Sequence, residues 1–274
     1  MVEQHVRLDA DGIMILGTCG EGPWLTENDR RILVEETVRA NRGRLKITVQ
    51  ATENSAVRTL EQIEVAASLG ADYATVAQPA FLLNATPANV EAYYLDIFER
   101  SPLPVIFYDR GLRAPVPVPT EMLETIFLHP RVAMVKDSST SEERRDVALR
   151  CRQQRPELVL LTGNEFGFPA YLEAGYDGGM MGGAILTARY VRAIAAAVKQ
   201  GNRDEAEKLD DAMKALLWAV YGGTSIACWL TGLKEALVRL GVFSTNANIL
   251  KYPITPECSA AIDAALESER RWIC

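Results

Sequence analysis

The stretch VAMVKD, residues 132–137, is an apolar run that ends in a lysine and an aspartate. A strand with one face in solvent carries polar residues at every second position, whereas a strand covered on both faces is apolar throughout. The stretch therefore predicts a buried strand, 133–136, in a parallel sheet. Lys136 closes this strand, and Asp137 follows it.

Six more apolar runs of this kind lie on either side: 12–17, 45–50, 73–77, 105–108, 158–162 and 178–181. Each interval between successive runs has room for one helix and two short loops, which is the rhythm of a parallel βαβ sheet. The residues that suit the start of a helix in these intervals are Thr26, Ser55, Pro87, Pro119 and Ser141.

The rest of the chain predicts helices only. Residues 1–10 have the pattern of the end of a helix, and after residue 184 four helices are predicted, at 187–199, 203–220, 227–240 and 256–271. We expect a parallel (β/α) barrel over residues 1–200 and a helical extension, packed on the barrel, over residues 201–274.

Two parallel architectures compete for this pattern. A doubly wound sheet typically carries G-x-G-x-x-G after its first strand, but the segment GTCGEG at 17–22 lacks that spacing and the later acidic partner. A (β/α)8 TIM barrel is the better interpretation. Seven runs are visible and such a barrel has eight strands. We therefore expect the first strand to precede residue 1, with the start site assigned too far downstream, or its place to be filled by another element or a neighbouring subunit.

Composition narrows the class of protein. The 274 residues are 48% hydrophobic and carry a net charge of −7 without a basic cluster, so nucleic acid is not an expected partner. The apolar runs are too short to span a membrane. Five scattered cysteines without a C-x-x-C pair favour the reducing cytoplasm. With only His5 and His129, the chain offers almost no histidine for a histidine-rich metal site or for a Ser-His-Asp hydrolase.

The chemistry of a barrel lies where its strands end. Burial at the end of an apolar strand lowers the pKa of a lysine, and a neutral amine attacks ketones, so Lys136 is the candidate nucleophile. The alternative is a lysine whose ammonium extends to solvent. Tyr108 ends the preceding run and is the candidate proton shuttle, with a core aromatic as the alternative.

Two loops supply candidate binding groups. Thr18 is suited to donate to a carboxylate or to link to Tyr108, or it is an ordinary loop hydroxyl. Cys19 is a reactive or a packed thiol. The glycines of 178–183 allow backbone amides near Met180 and Gly182 to approach a ligand, although tight strand packing explains them equally well.

Taken together, these segments resemble the dihydrodipicolinate synthase/N-acetylneuraminate lyase family of class I aldolases, from about residue 2 to residue 241. Four segments carry the resemblance, and it rests on their order and spacing. They are GTCGEG at 17–22 followed by Leu25-Thr26, FYD at 107–109, VKDSS at 135–139, and LLTGNE at 160–165 followed by GYDGG at 175–179.

The resemblance implies that Lys136 forms an imine with the keto group of pyruvate or of a longer 2-keto acid. Tyr108 would relay protons, and the loop of Thr18, Cys19 and Gly20 would hold the carboxylate. It implies a cytoplasmic homo-oligomer, a dimer or tetramer, that needs no metal and no organic cofactor.

Departures from the family pattern concern the substrate. Cys19 replaces a second threonine, and Ala80-Phe81 replaces the tyrosine pair of the synthases, which removes a relay hydroxyl. Arg113 stands five residues after Tyr108, where the synthases keep an arginine for the second substrate's carboxylate. The alternative is a solvated arginine that leads into the prolines of 115–119. Arg110 instead forms the Tyr-x-Arg pattern of the sugar-acid dehydratases.

We therefore expect a Schiff-base lyase that acts on pyruvate or a 2-keto-3-deoxy acid by aldol cleavage, condensation or dehydration. Dihydrodipicolinate synthase activity is the alternative within the class. A non-catalytic 2-keto-acid-binding paralogue is the alternative outside it, and the presence of both Lys136 and Tyr108 argues against it.

Overall fold

Seven parallel strands form one sheet in the computed structural model, which describes residues 1–274. The strands are β1 Gly12–Ile15, β2 Lys46–Gln50, β3 Tyr73–Ala77, β4 Val105–Asp109, β5 Val132–Asp137, β6 Val159–Thr162 and β7 Gly178–Gly179. All seven predicted strands are confirmed. β7 is shorter than the predicted 178–181, although the Met180 N–H still donates to the Thr162 carbonyl (2.8 Å).

The helices agree closely with the sequence pattern. They are α1 Val2–Arg7, α2 Glu27–Asn41, α3 Ala56–Ser68, α4 Pro87–Arg100, α5 Leu123–Leu128, α6 Glu142–Gln154, α7 Phe168–Ala174, α8 Ala184–Lys199, α9 Arg203–Tyr221, α10 Trp229–Arg239, α11 Pro256–Ser268 and α12 Arg270–Ile273. None of them is both long and apolar enough to cross a membrane.

Hydroxyl side chains begin several of these helices, as predicted. Thr26, Ser55 and Ser141 each accept the backbone N–H three residues later, which satisfies a donor that the first turn leaves unpaired. Pro87 occupies the first turn of α4 behind a Thr86 cap. The sequence predicts a helix that begins at Pro119, but Pro119 is followed by a short 3₁₀ turn, Thr120–Met122, and α5 begins only after it.

The strands follow one another in the sheet in chain order, from β1 to β7. A doubly wound sheet reverses its strand order at a switch point. The doubly wound alternative is therefore wrong, and the sheet with its flanking helices is a TIM-barrel-like α/β fold.

The chain divides into two compact units. The strand unit comprises residues 12–164 and 174–180, and the helical unit comprises residues 1–11, 165–173 and 181–274. The division predicted after residue 200 stays a prediction.

One face of the strand unit's sheet is deeply buried. Val135 and Asp137 of β5, and Phe107 and Asp109 of β4, are at most 2% exposed. Successive side chains of a strand point to opposite faces, so the half-buried Lys136 and Tyr108 lie together on the other face.

The helical unit has its own core, built from α8, α9, α10 and α11. Here Gly232 of α10 allows a close approach, because a Cβ at this position would lie 1.9 Å from the Val220 carbonyl oxygen of α9. A larger residue at 232 would force these two helices apart.

Candidate active site

Lys136 and Tyr108 lie side by side at the ends of neighbouring strands. They are register partners of β5 and β4, and the Lys136 Nζ is 4.1 Å from the centre of the Tyr108 ring. A cation over the face of a tyrosine ring is attracted by the ring quadrupole. The predicted nucleophile and the predicted proton shuttle are thus brought together.

Met14 of β1 reaches the same amine. Its Sδ is 3.6 Å from the Lys136 Nζ. β1 and β5 are not neighbours in the sheet, so the sheet is curved enough for their side chains to meet. Sequence reasoning missed Met14, because a methionine within an apolar run has the pattern of an ordinary core residue.

The segment after Lys136 is fixed by the Asp137 carboxylate. Its Oδ1 accepts the Ser139 N–H (2.8 Å) and the Ser139 hydroxyl (2.7 Å), and its Oδ2 accepts the Tyr176 hydroxyl (2.8 Å). Burial raises the pKa of Asp137, and these hydrogen bonds oppose that rise. The result is a rigid exit from the strand that carries Lys136.

Gly163, at the end of the next strand, leaves room for the lysine. A Cβ at this position would lie 1.9 Å from the Ser138 Oγ and 3.3 Å from the Lys136 Cε. The Gly163 N–H donates to the Asp137 carbonyl (2.6 Å), which holds the two strand ends together. A larger residue at 163 would therefore displace the Ser138 hydroxyl and crowd the Lys136 side chain.

A buried ion pair lies on the opposite face of the sheet. Arg144 of α6 binds the Asp109 carboxylate through its Nε and Nη2, both at 2.8 Å. Sequence reasoning missed Arg144, yet a signal for it exists. The buried positions of α6 are 144, 147, 148 and 151, so the arginine occupies a place in the helix's apolar stripe.

The predicted carboxylate loop forms a 3₁₀ turn, Thr18–Gly20. Thr18 and Gly20 are exposed and Cys19 is half-buried, and nothing lies within 4 Å of a Cβ placed at Gly20. No hydrogen bond joins Thr18 to Tyr108. The binding role of this loop stays a prediction.

The two candidate arginines are on the loop after β4. Arg110 precedes the 3₁₀ turn Gly111–Arg113, and both guanidinium groups are exposed and without an ion-pair partner. Phe81, after β3, is 62% exposed. Neighbouring parallel strands end at the same edge of a sheet, so these two loops share the edge at which Lys136 lies.

The remaining candidates fall in different units. Met180 continues the ladder of β7 in the strand unit, whereas Gly182 belongs to the helical unit and directly precedes α8. In the helical unit Glu165 accepts the Gly183 N–H (2.9 Å) and the Tyr221 hydroxyl (2.8 Å), which fixes the start of α8. The structure contains no cluster of three or more metal-binding side chains.

Comparison with known proteins adds a family. Residues 1–267 match the model of the dihydrodipicolinate synthetase family. The chain is 26% identical to the 4-hydroxy-tetrahydrodipicolinate synthase of Roseobacter denitrificans, over 97% of this chain and 89% of that protein. It is 28% identical to the corresponding synthase of Coxiella burnetii, over 93% and 84%.

The fold has solved counterparts. The dihydrodipicolinate synthase of Thermotoga maritima superposes with a TM-score of 0.86 at 22% identity, covering 98% of this chain and 90% of that one. The match to the family model extends over almost the whole length of the sequence, as the resemblance of its motifs predicted. The chain therefore belongs to the dihydrodipicolinate synthetase family and is a lyase.

Proposed function

We propose that this lyase forms a Schiff base between Lys136 and the keto group of pyruvate or of a 2-keto-3-deoxy acid. The observation that carries the proposal is the position of the Lys136 Nζ, 4.1 Å from the centre of the Tyr108 ring at the ends of paired strands. An amine and a phenol placed side by side supply a nucleophile and an acid–base group for one carbonyl.

The first half of the reaction builds the imine. The neutral amine of Lys136 attacks the keto carbon, and the carbonyl oxygen takes up a proton to give a carbinolamine. Loss of water then leaves a protonated imine. Tyr108 carries protons to and from the departing oxygen, and its ring face stabilises the positive charge that forms beside it.

The second half uses the imine as an electron sink. In aldol cleavage the bond between C3 and C4 breaks, the electron pair moves into an enamine, and the C4 hydroxyl loses its proton to become an aldehyde. In dehydration C3 instead loses a proton to give an enamine, which expels the C4 hydroxyl as water once that hydroxyl has taken up a proton, and an unsaturated imine remains. After aldol cleavage, the enamine is protonated at C3. Hydrolysis of the imine then frees the product and the Lys136 amine on either route.

The substrate is proposed from the loops around the lysine. Phe81 has no hydroxyl, which favours a 2-keto-3-deoxy acid over the synthase reaction. The relatives that are named 4-hydroxy-tetrahydrodipicolinate synthase, together with the unpaired guanidinium of Arg113, support the synthase reaction as the second candidate.

We also propose that the seven-stranded sheet is that of a (β/α)8 TIM barrel without its first strand, and that the protein is a homo-oligomer of two or four chains. The superposition on the Thermotoga maritima enzyme supports the barrel. Exposed apolar side chains at the loops after β3 and β4 support the oligomer.

Reductive trapping tests the Schiff base. Incubation with pyruvate and borohydride is expected to add one reduced pyruvyl group, and peptide mass mapping is expected to place it on Lys136. Lys136→Met is expected to abolish the adduct, whereas Lys46→Met, at the exposed start of β2, is expected to leave it intact. An active enzyme whose Lys136 stays unmodified would contradict the mechanism.

A further inference from the structure

Arg144 is a charged residue placed where an apolar one would be expected. Its side chain and that of Asp109 are each 1% exposed, and the two form a bidentate pair. Removing two charges from water is costly, and an apolar pair of similar volume often stabilises a protein as well. The pair therefore calls for a role besides stability.

The contacts of Arg144 point to the loop after β4. Its Nη1 donates to the Val118 carbonyl (2.9 Å) and to the Thr120 hydroxyl (3.3 Å). The Asp109 Oδ1 also accepts the Gly111 N–H (2.8 Å). One ion pair thus holds both the beginning and the end of loop 110–120.

Gln78, at the end of β3, secures the same loop from the neighbouring strand. Its Oε1 accepts the Arg110 N–H (3.0 Å), and its Nε2 donates to the Asp109 Oδ1 (3.3 Å). Gln78 is 2% exposed, so water competes little for these bonds.

The loop is also seated against the segment that follows Lys136. Gly111 has a φ of +72°, and a Cβ at this position would lie 3.0 Å from the Ser139 Cα. In addition, the Ser138 N–H donates to the Asp109 carbonyl (2.8 Å). The distance between this loop and the lysine is therefore fixed by backbone contacts.

We propose that Arg144 and Asp109 are positioning residues for substrate specificity. They hold loop 110–113 so that the unpaired guanidinium groups of Arg110 and Arg113 face a second carboxylate on a 2-keto acid bound at Lys136. This inference rests on the proposed Schiff-base function. Neither Arg144 nor Asp109 contacts the substrate, and their effect passes through the loop.

Trapping of two 2-keto acids of equal length tests the role. The probes are 2-oxoglutarate, which has a second carboxylate, and 2-oxopentanoate, which lacks it. The variant is the double substitution Asp109→Leu/Arg144→Met, because loss of one partner alone would leave an unpaired buried charge. In this variant we expect the concentration of 2-oxoglutarate that gives half-maximal borohydride trapping to rise about ten-fold or more. A change of this size is the usual effect of losing a hydrogen bond to a charged group. The corresponding concentration of 2-oxopentanoate is expected to change by less than about three-fold.

A matched control exists on the same helix. Arg152 forms a bidentate pair with Asp177 at the other end of α6, away from loop 110–120. Arg152→Met is expected to leave the ratio between the two probes unchanged. Arg144→Lys, which keeps the charge but loses the bidentate contact, is expected to raise the 2-oxoglutarate value by an intermediate amount.

A double-mutant cycle separates positioning from general damage. Arg110→Ala/Arg113→Ala is expected to weaken 2-oxoglutarate trapping in the wild-type background and to have little further effect in the Asp109→Leu/Arg144→Met background.

Three outcomes would overturn the positioning role: additive effects in the cycle, equal losses for both probes, or a wild type that does not distinguish the two probes. If the double variant does not fold, Arg144→Lys and the loop arginines decide alone. A wild type that traps no 2-keto acid contradicts the proposed function itself.

Discussion

At the scale of single residues, Tyr108 is the group whose removal we expect to separate imine formation from turnover. Tyr108→Phe keeps the ring beside the Lys136 amine but removes the proton that the phenol carries. We expect turnover to fall by about 100-fold or more, which is the usual contribution of a positioned acid–base group. Borohydride trapping of pyruvate should remain detectable. Steady-state kinetics with a pyruvate-release assay measure the first quantity, and near-normal turnover would reduce Tyr108 to a packing residue.

Gly163 gives a steric prediction at the same scale. Gly163→Ala places a methyl group 1.9 Å from the Ser138 Oγ and 3.3 Å from the Lys136 Cε. We expect the rate of pyruvate trapping to fall by about ten-fold or more, because a displaced nucleophile loses its attack geometry. Adding Ser138→Gly removes the nearest obstacle and should restore part of that rate. An unchanged rate in Gly163→Ala would show that the strand end adjusts without moving the lysine.

The residues that sequence predicts and those it misses differ in their surroundings. Lys136 and Tyr108 stand at the ends of apolar runs and carry polar groups, so each is distinct from the residues before it. Met14 is apolar like its neighbours, and only the curvature of the sheet brings its sulfur to the Lys136 amine. Arg144 was visible in principle, because it is charged at a position of the apolar stripe of α6. Its partner Asp109, however, is set by tertiary packing.

At the scale of elements, the end of β5 makes stability depend on pH. Burial raises the pKa of Asp137 above its ordinary value of 3.8 in the folded protein. Between that value and the higher folded pKa, the folded state holds a proton that the unfolded state has lost. The contribution of Asp137 to the free energy of unfolding therefore falls as pH rises through this window. Below and above the window, this contribution does not change with pH.

Asp137→Asn removes this titration. We expect the stability of wild type relative to Asp137→Asn to decrease as pH rises from 3.8 through the folded pKa of Asp137. Urea unfolding of both proteins at a series of pH values measures the difference. Ser139→Ala, which deletes one hydrogen bond to the Asp137 carboxylate, should raise the folded pKa further and widen the window. A relative stability that rises with pH would mean that the hydrogen bonds to this carboxylate outweigh its burial.

Elements were predictable where hydrophobic periodicity and capping agreed. Strands β1 to β6 and helices α8 to α11 follow from apolar runs and apolar stripes. β7 ends at Gly179, two residues before the predicted end, and from Met181 the chain belongs to the helical unit. The unit in which each residue packs is a property of the tertiary structure, and the local sequence pattern does not predict it.

At the scale of the whole molecule, the order of the strands follows from the order of the runs. A sheet whose strands are neighbours in sequence needs no information beyond the βαβ rhythm. The division into two compact units was less accessible. α8 has the same amphipathic pattern as the helices of the strand unit, yet its side chains Leu186, Tyr190 and Ile194 belong to the core of the helical unit. Periodicity shows that a helix has an apolar face but does not show what covers it.

The exposed apolar residues of the strand unit lead to a prediction about assembly. Phe81 is 62% exposed, Leu83 73% and Leu112 62%, and all three lie on loops at the carboxyl ends of the adjacent strands β3 and β4. Large apolar side chains gathered at one edge of a molecule usually mark an interface.

We expect the wild type to sediment as a dimer or tetramer. The double variant Phe81→Asp/Leu112→Asp is expected to sediment as a smaller species, because a charge in an apolar interface loses its hydration without gaining a partner. Val57→Asp, at a similarly exposed apolar position on α3, should leave the assembly unchanged. A wild type that is monomeric at micromolar concentration, or an assembly that both aspartate substitutions leave intact, would show that these loops do not form the interface.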